Sequence, residues 1–167
     1  FGLIPSWSKD RSIGRRTYNA RTETVAEKPS YRTAWRQRQF CLVPVERFFE
    51  PCWETGKAVP WSIHRQDGEP FTVAGIWDRW NDRATGEIVV SFSMLTINAD
   101  GHPIMGRFHR PGDERRSLVV VPPSRWTDWL SATPDTVRAM LAEMPVAEFT
   151  SESVMGLSSA PAQASFL

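Results

Sequence analysis

Residues 71–97 read FTVAGIWDRWNDRATGEIVVSFSMLTI, two runs rich in β-branched and aromatic residues on either side of the turn segment NDRATG. Six turn residues leave no room for a crossover helix, so the runs pair antiparallel. The same pattern extends outward. FCLVPV at 40–45 reads as a buried strand with a proline near its end, and VPWSIHR at 59–65 as another, with TGK at 55–57 and QDGEP at 66–70 as turns. SLVVV at 117–121 is one more strand.

Helices flank this sheet. PSYRTAWRQR at 29–38 predicts a short one with Tyr31 and Trp35 on one face. PPSRWTDWL at 122–130 predicts a second, with Ser124 as N-cap and Trp126, Trp129 and Leu130 packed on the sheet. In TPDTVRAMLAEM at 133–144, Thr133 is the expected N-cap, Pro134 takes the first helical position, and Val137, Met140, Leu141 and Met144 form the buried stripe. YNARTET at 18–24 reads as a turn or cap segment through Asn19 and Thr22. The expected architecture is an α+β domain over residues 1–150, a mixed or antiparallel sheet curling into a barrel-like core with short flanking helices. Residues 151–167 are expected to form an extended tail.

Composition narrows the function classes. The 167 residues are 41% hydrophobic and 23% charged, and no apolar stretch approaches the roughly 20 residues of a membrane-spanning helix. With two cysteines, Cys41 and Cys52, and no basic segment followed by an apolar one at the N-terminus, neither a disulfide framework nor a secretory signal is indicated. A cytoplasmic location is the expectation. There is no Gly-rich phosphate loop, no HExxH and no CxxC, so the usual supports for nucleotide hydrolysis and structural zinc are missing.

The net charge of +1 conceals an asymmetry. Residues 1–40 hold nine Lys and Arg against three acidic residues, a net +6 that leaves −5 for the rest. Together with Trp7, Tyr18, Tyr31 and Trp35, this basic region has the ingredients to bind single-stranded nucleic acid, since cations neutralise phosphate and aromatic faces stack on bases. A solvated arginine-rich surface would account for the same charges. Glu50, after two phenylalanines in RFFEP, risks burial, which would raise its pKa toward the range useful for proton transfer. Pairing with an arginine or with backbone donors would also explain it. Cys41 reads as a small core residue.

Six segments occur in a telling order: GLIPSW at 2–7, NAR at 19–21, KPSYR at 28–32, FCLVPVERFFEP at 40–51, AGIWDRW at 74–80 and LTINAD at 95–100. In this order and approximate spacing, from Phe1 to about Leu130, the chain resembles the SRAP family, the SOS-response-associated peptidase domains that cap abasic sites in single-stranded DNA. Members of that family begin Met-Cys-Gly-Arg, and removal of the methionine exposes an N-terminal cysteine as nucleophile. The resemblance therefore implies a catalytic segment that this sequence, beginning at Phe1, does not include. Cys41 and Cys52 cannot stand in for it, because the chemistry needs an α-amine and a thiol on one residue.

The other roles follow from the resemblance. Asn19 would position the N-terminal cysteine, Glu50 would act as acid and base on the sugar, and His109 would sit near the aldehyde. Arg21 would grip the phosphate beside the lesion, and Pro5 and Trp7 would wall the flanking bases. No metal or organic cofactor is implied, and the expected partner is single-stranded or junction DNA with abasic sites, with nucleoid association when bound. Two features depart from the family pattern. Pro51 stands where many relatives have tryptophan, and the loop after His109, HRPGDERRSLVVV, carries extra residues and lacks Met-Pro, which makes His102 a rival. Two other readings stay open, a non-catalytic single-stranded DNA-binding module and a phage or mobile-element relative with an altered target.

Overall fold

The computed structural model describes residues 1–154. Its strands are β1 (Asn19–Arg21), β2 (Phe40–Val45), β3 (Arg47–Cys52), β4 (Val59–Arg65), β5 (Phe71–Asn81), β6 (Ile88–Asn98), β7 (Arg116–Leu118) and β8 (Phe149–Ser153). Three short α-helices accompany them, α1 (Arg32–Arg36), α2 (Trp126–Ser131) and α3 (Pro134–Arg138). The α+β class stands. The strands form two sheets, however, and do not close into one barrel: a five-stranded sheet in the order β1-β6-β5-β2 with β7 also on β6, and a three-stranded sheet β3-β4-β8.

The long hairpin behaves as its sequence dictates. β5 and β6 pair antiparallel from Gly75↔Met94 to Asn81↔Ile88. Beyond that pair they diverge, and residues 116–121 fill the gap: Thr96 pairs with Leu118, while Ala74 N–H donates to Val119 O at 2.8 Å. Gly75 stands at the fork. A side chain there would come within 2.8 Å of Cys41 Sγ and 3.1 Å of Ser93 O, so the close crossing of β2, β5 and β6 needs a glycine.

Period-two alternation sorts this sheet's residues between two cores. Ala74, Ile76, Leu95, Val119 and Val121 face one with Trp35, Phe40, Trp129 and Val137. Phe71, Val73 and Leu118 face the other, which joins the sheets through Ile63, Met105, Phe108 and Phe149. This is why LVVV at 118–121 is apolar without interruption: both of its faces are covered.

Three strands escape a reading by composition. NAR forms β1, in parallel pairing with β6, with Ala20 buried and its polar neighbours exposed. RFFEPC forms β3, antiparallel to β4. Phe149–Ser153 forms the edge strand β8 against β4, so the first residues of the expected tail belong to the second sheet; the remainder of 151–167 lies mostly outside the described residues.

The helices are shorter than their patterns. Ser124 lies in a 3-10 turn, Pro123–Arg125, and caps nothing with its side chain; α2 starts at Trp126. Of the three residues expected to pack, only Trp129 is buried. Trp126 is held at the surface by bonds from its indole N–H to Thr72 Oγ1 and Val121 O, and Leu130 is 52% exposed. Thr133 does cap α3, in a reciprocal box with Thr136. After Arg138 the backbone tightens into i→i+3 bonds, yet Met140 and Leu141 still pack on the core.

These burials predict unequal costs within one helix. Trp129, fully buried with its indole N–H bonded to Cys41 O at 2.9 Å, should cost about 3–5 kcal/mol on truncation to alanine. Leu130→Ala should cost less than about 0.5 kcal/mol. Urea unfolding of the two variants checks this, and similar losses would contradict the packing described.

Candidate functional site

Strand alternation builds the site. On β1, Ala20 turns into the core, so Asn19 and Arg21 project together on the opposite face. On β3, Phe48, Glu50 and Cys52 share the face turned toward the core between the sheets, while Phe49 points outward and is 58% exposed. The two polar faces meet across a cavity of about 430 Å³ lined by Asn19, Arg21, Glu50 and His109, with Arg16, Tyr18, Phe48, Thr96, Met105 and residues 116–118 completing its wall.

Glu50 is the chemically distinctive group. Half-buried beside Phe48, it has no hydrogen-bond or ion-pair partner among the described residues, and burial pushes its carboxyl up to about 7. At neutral pH it is therefore divided between acid and base. The alternative explanation, an arginine partner, is not what the structure holds.

His109 and His102 have different surroundings. The Arg116 backbone N–H donates to His109 Nε2 at 3.1 Å, leaving Nδ1 to carry the proton toward Met105 O at 3.4 Å. His109 thus stands in the cavity wall with a fixed ring orientation. His102 is 3% exposed, accepts from the backbone N–H groups of Ile104 and Met105 at Nδ1, and lies 2.7 Å from Met144 O through Nε2. It lines no part of the cavity and serves to tie its loop to Met144.

The mouth is charged. Arg21 Nη1 bonds Glu114 Oε2 at 2.6 Å, and Arg116 Nη1 bonds Glu114 Oε1, also at 2.6 Å. Arg116 also reaches Glu23 at 2.8 Å and Thr96 O at 2.6 Å. The hydrogen bond from Arg116, helped by Asn98 and Arg21, holds the Glu114 carboxyl below its usual range. Arg16 has no ion-pair partner among the described residues.

A second, open cleft of about 470 Å³ shares Arg16, Asn19 and Arg21 with the first and adds Lys28, Pro29 and Tyr31. Trp7 stands beside it, 54% exposed, its indole N–H bonded to Pro29 O at 3.1 Å. Pro5 is buried, and neither Pro5 nor Trp7 lines the cavity holding Glu50. A separate cleft of about 330 Å³, lined by Phe71, Val121, Pro122, Trp126 and Pro145 among others, shares no residue with these two.

Neither thiol reaches the cavity. Burial pushes Cys41 up to about 12, which keeps it a protonated, unreactive thiol, and Cys52 is buried in the core between the sheets. No cluster of three or more His, Cys, Asp or Glu able to hold a metal ion occurs among the described residues, and no helix there is long and apolar enough to cross a membrane. Arg16, Thr96 and Arg116 were not singled out by sequence. Arg116 could have been, since it directly precedes the SLVVV strand and so had to sit at a sheet edge.

The displaced carboxyl predicts a pH signature. The folded chain keeps the Glu50 proton up to about pH 7, whereas an unfolded glutamic acid releases it near 4.5. Between those values the native state binds more protons than the unfolded one, so this group's contribution to stability is lost as pH rises. Relative to Glu50→Gln, the wild type should lose on the order of 2–3 kcal/mol between pH 4.5 and 8, measured by urea unfolding. A pH-independent difference between the two proteins would contradict the burial of this carboxyl.

Comparison with known proteins gives a consistent picture. The family model described as "SOS response associated peptidase (SRAP)" matches residues 1–157. The chain is 28% identical to the Abasic site processing protein YoqW of Bacillus subtilis, across 96% of this chain and 70% of that protein. It is 30% identical to the Abasic site processing protein YMR114C of Saccharomyces cerevisiae, across 81% of this chain and 35% of that protein. A crystal structure of a Bordetella bronchiseptica protein superposes with a TM-score of 0.83 at 36% identity, covering 92% of this chain and 74% of the other.

Proposed function

Since the chain belongs to the SOS response associated peptidase family, we propose that it binds DNA containing an abasic site and caps the lesion covalently. The observation that carries this reading is the single cavity in which Asn19, Arg21, Glu50 and His109 meet, with a carboxyl held near neutrality at its wall. Relatives named abasic site processing proteins support it.

In this reading the lesion's sugar enters the cavity from a single strand that runs over the basic rim. Arg21 and Arg116 hold phosphate oxygens, while Arg16 and Lys28 draw the flanking backbone along the second cleft toward the exposed face of Trp7. Glu50 protonates the ring oxygen of the cyclic sugar, which opens to expose the aldehyde. The α-amine of an N-terminal cysteine adds to that carbonyl and loses water to give an imine, and Glu50 carries the protons. The thiol then adds across the carbon–nitrogen double bond, its sulfur to carbon and a proton to nitrogen, closing a thiazolidine. Asn19 orients the cysteine without changing the local charge, and His109 fixes the wall beside the aldehyde. The nucleophile in this reading is an N-terminal cysteine, since the step needs an amine and a thiol on one residue and both internal thiols lie outside the cavity. The same cysteine, with Glu50, would release the methionine ahead of it. An intracellular location goes with this substrate.

The test uses a form beginning with cysteine and a single strand with one abasic site. Glu50→Gln should leave affinity within about twofold and slow the appearance of a denaturation-resistant adduct by 10²-fold or more. Arg21→Ala should weaken binding by about 1–2 kcal/mol. Adduct formation by Glu50→Gln at the wild-type rate would sink the assigned role. Tight binding with no adduct at all would leave a DNA-binding module in its place.

A further inference from the structure

We propose that Glu114 is a built-in counter-anion that occupies the phosphate position at the cavity mouth and must be displaced when DNA binds. This inference rests on the phosphate role given above to Arg21 and Arg116. Its basis is geometric. One carboxylate uses its two oxygens to bridge two guanidinium groups that both line the cavity, at 2.6 Å each. Two oxygens shared between two planar forks is also how a phosphate is gripped, so carboxylate and phosphate compete for the same donors.

The surroundings suit a removable anion. Glu114 is exposed, and beyond the two arginines its side chain bonds, among the described residues, only the Asn98 amide, at a long 3.4 Å. It follows Pro111 and Gly112, the latter at φ +91°, in a loop whose residues 110–115 are all exposed. Arg116 is different. Glu23 and the Thr96 carbonyl hold it in place when Glu114 leaves, so its donors remain aimed at the mouth. With Glu23 and Glu114 in position, the charges of Arg21 and Arg116 are balanced, while Arg16 and the neighbouring Lys28 have no ion-pair partner among the described residues. An isolated small anion meets a mouth already filled, whereas a strand that also engages Arg16 and Lys28 can displace the carboxylate. Glu114 thus tunes affinity and favours a polyanion over single anions. The residue comes from the loop after His109, between that histidine and the Arg116–Leu118 strand.

The experiment measures binding of a single-stranded oligonucleotide with one tetrahydrofuran abasic analogue, by fluorescence anisotropy at fixed salt. Glu114→Gln should bind about three- to fivefold more tightly than wild type, and Glu114→Asp, which keeps the charge, should stay near wild type. In an Arg21→Ala background the gain from Glu114→Gln should shrink, since one of the two competed donors is gone. If Glu114→Gln binds no better than wild type while Arg21→Ala still weakens binding, the counter-anion role is wrong and the phosphate reading survives. If Arg21→Ala also changes nothing, the phosphate reading fails and takes this inference with it.

Discussion

The divergence of β5 from β6 beyond the Gly75–Met94 pair is the constraint on which the rest of the structure depends. Past that point β6 keeps β1 on one side, and its other side is free to accept residues 116–118. Three short polar-edged segments, 19–21, 96–98 and 116–118, therefore converge at one end of the sheet. β3 enters the second sheet one residue after β2 leaves the first, which brings Phe48 and Glu50 opposite that end. The cavity lies there, between those polar side chains and Phe48, Met105 and Leu118 at the margin of the core between the sheets.

The electrostatics of that cavity divide by depth. At the wall, Glu50 is desolvated and has no partner among the described residues, so burial pushes its carboxyl up to about 7. At the mouth, Arg21 meets Glu114 in an exposed pair of the individually weak, exchangeable kind, beside an Arg116 that is itself largely buried. The first arrangement suits proton transfer; the second suits reversible capture of an anion. His109 joins the two regions, because the backbone N–H that fixes its ring belongs to Arg116, whose side chain stands at the mouth.

Much of this was legible in the sequence where alternation is strong. β4 and β5 follow their apolar patterns almost to the residue, and Thr133 was readable as the N-cap of its helix, though not its reciprocal bond with Thr136. The segments that misled are those whose structure depends on distant partners. NAR carries turn-forming residues yet becomes a strand because Met94, Leu95 and Thr96 offer it a free edge. RFFEPC looks irregular because of Pro51, which an antiparallel strand tolerates here opposite Pro60. Trp126 fitted a helical stripe, but two acceptors at the surface hold its indole outside the core. Of the site, Asn19, Arg21, Glu50 and His109 were nameable before the fold. Their meeting in one cavity was not, since it depends on the divergence of two strands that no local pattern encodes.

The measurement closest to the central claim is a nuclear magnetic resonance titration of this chain with a single strand carrying one tetrahydrofuran abasic analogue. Both backbone amides and side-chain carboxyl carbons should be followed. The account predicts that the largest shifts fall on Asn19, Glu50, His109 and residues 114–117, with smaller ones along Lys28 and Trp7. Shifts centred instead on the cleft of Pro122, Trp126 and Pro145, or spread evenly over the basic surface with Glu50 unmoved, would contradict it.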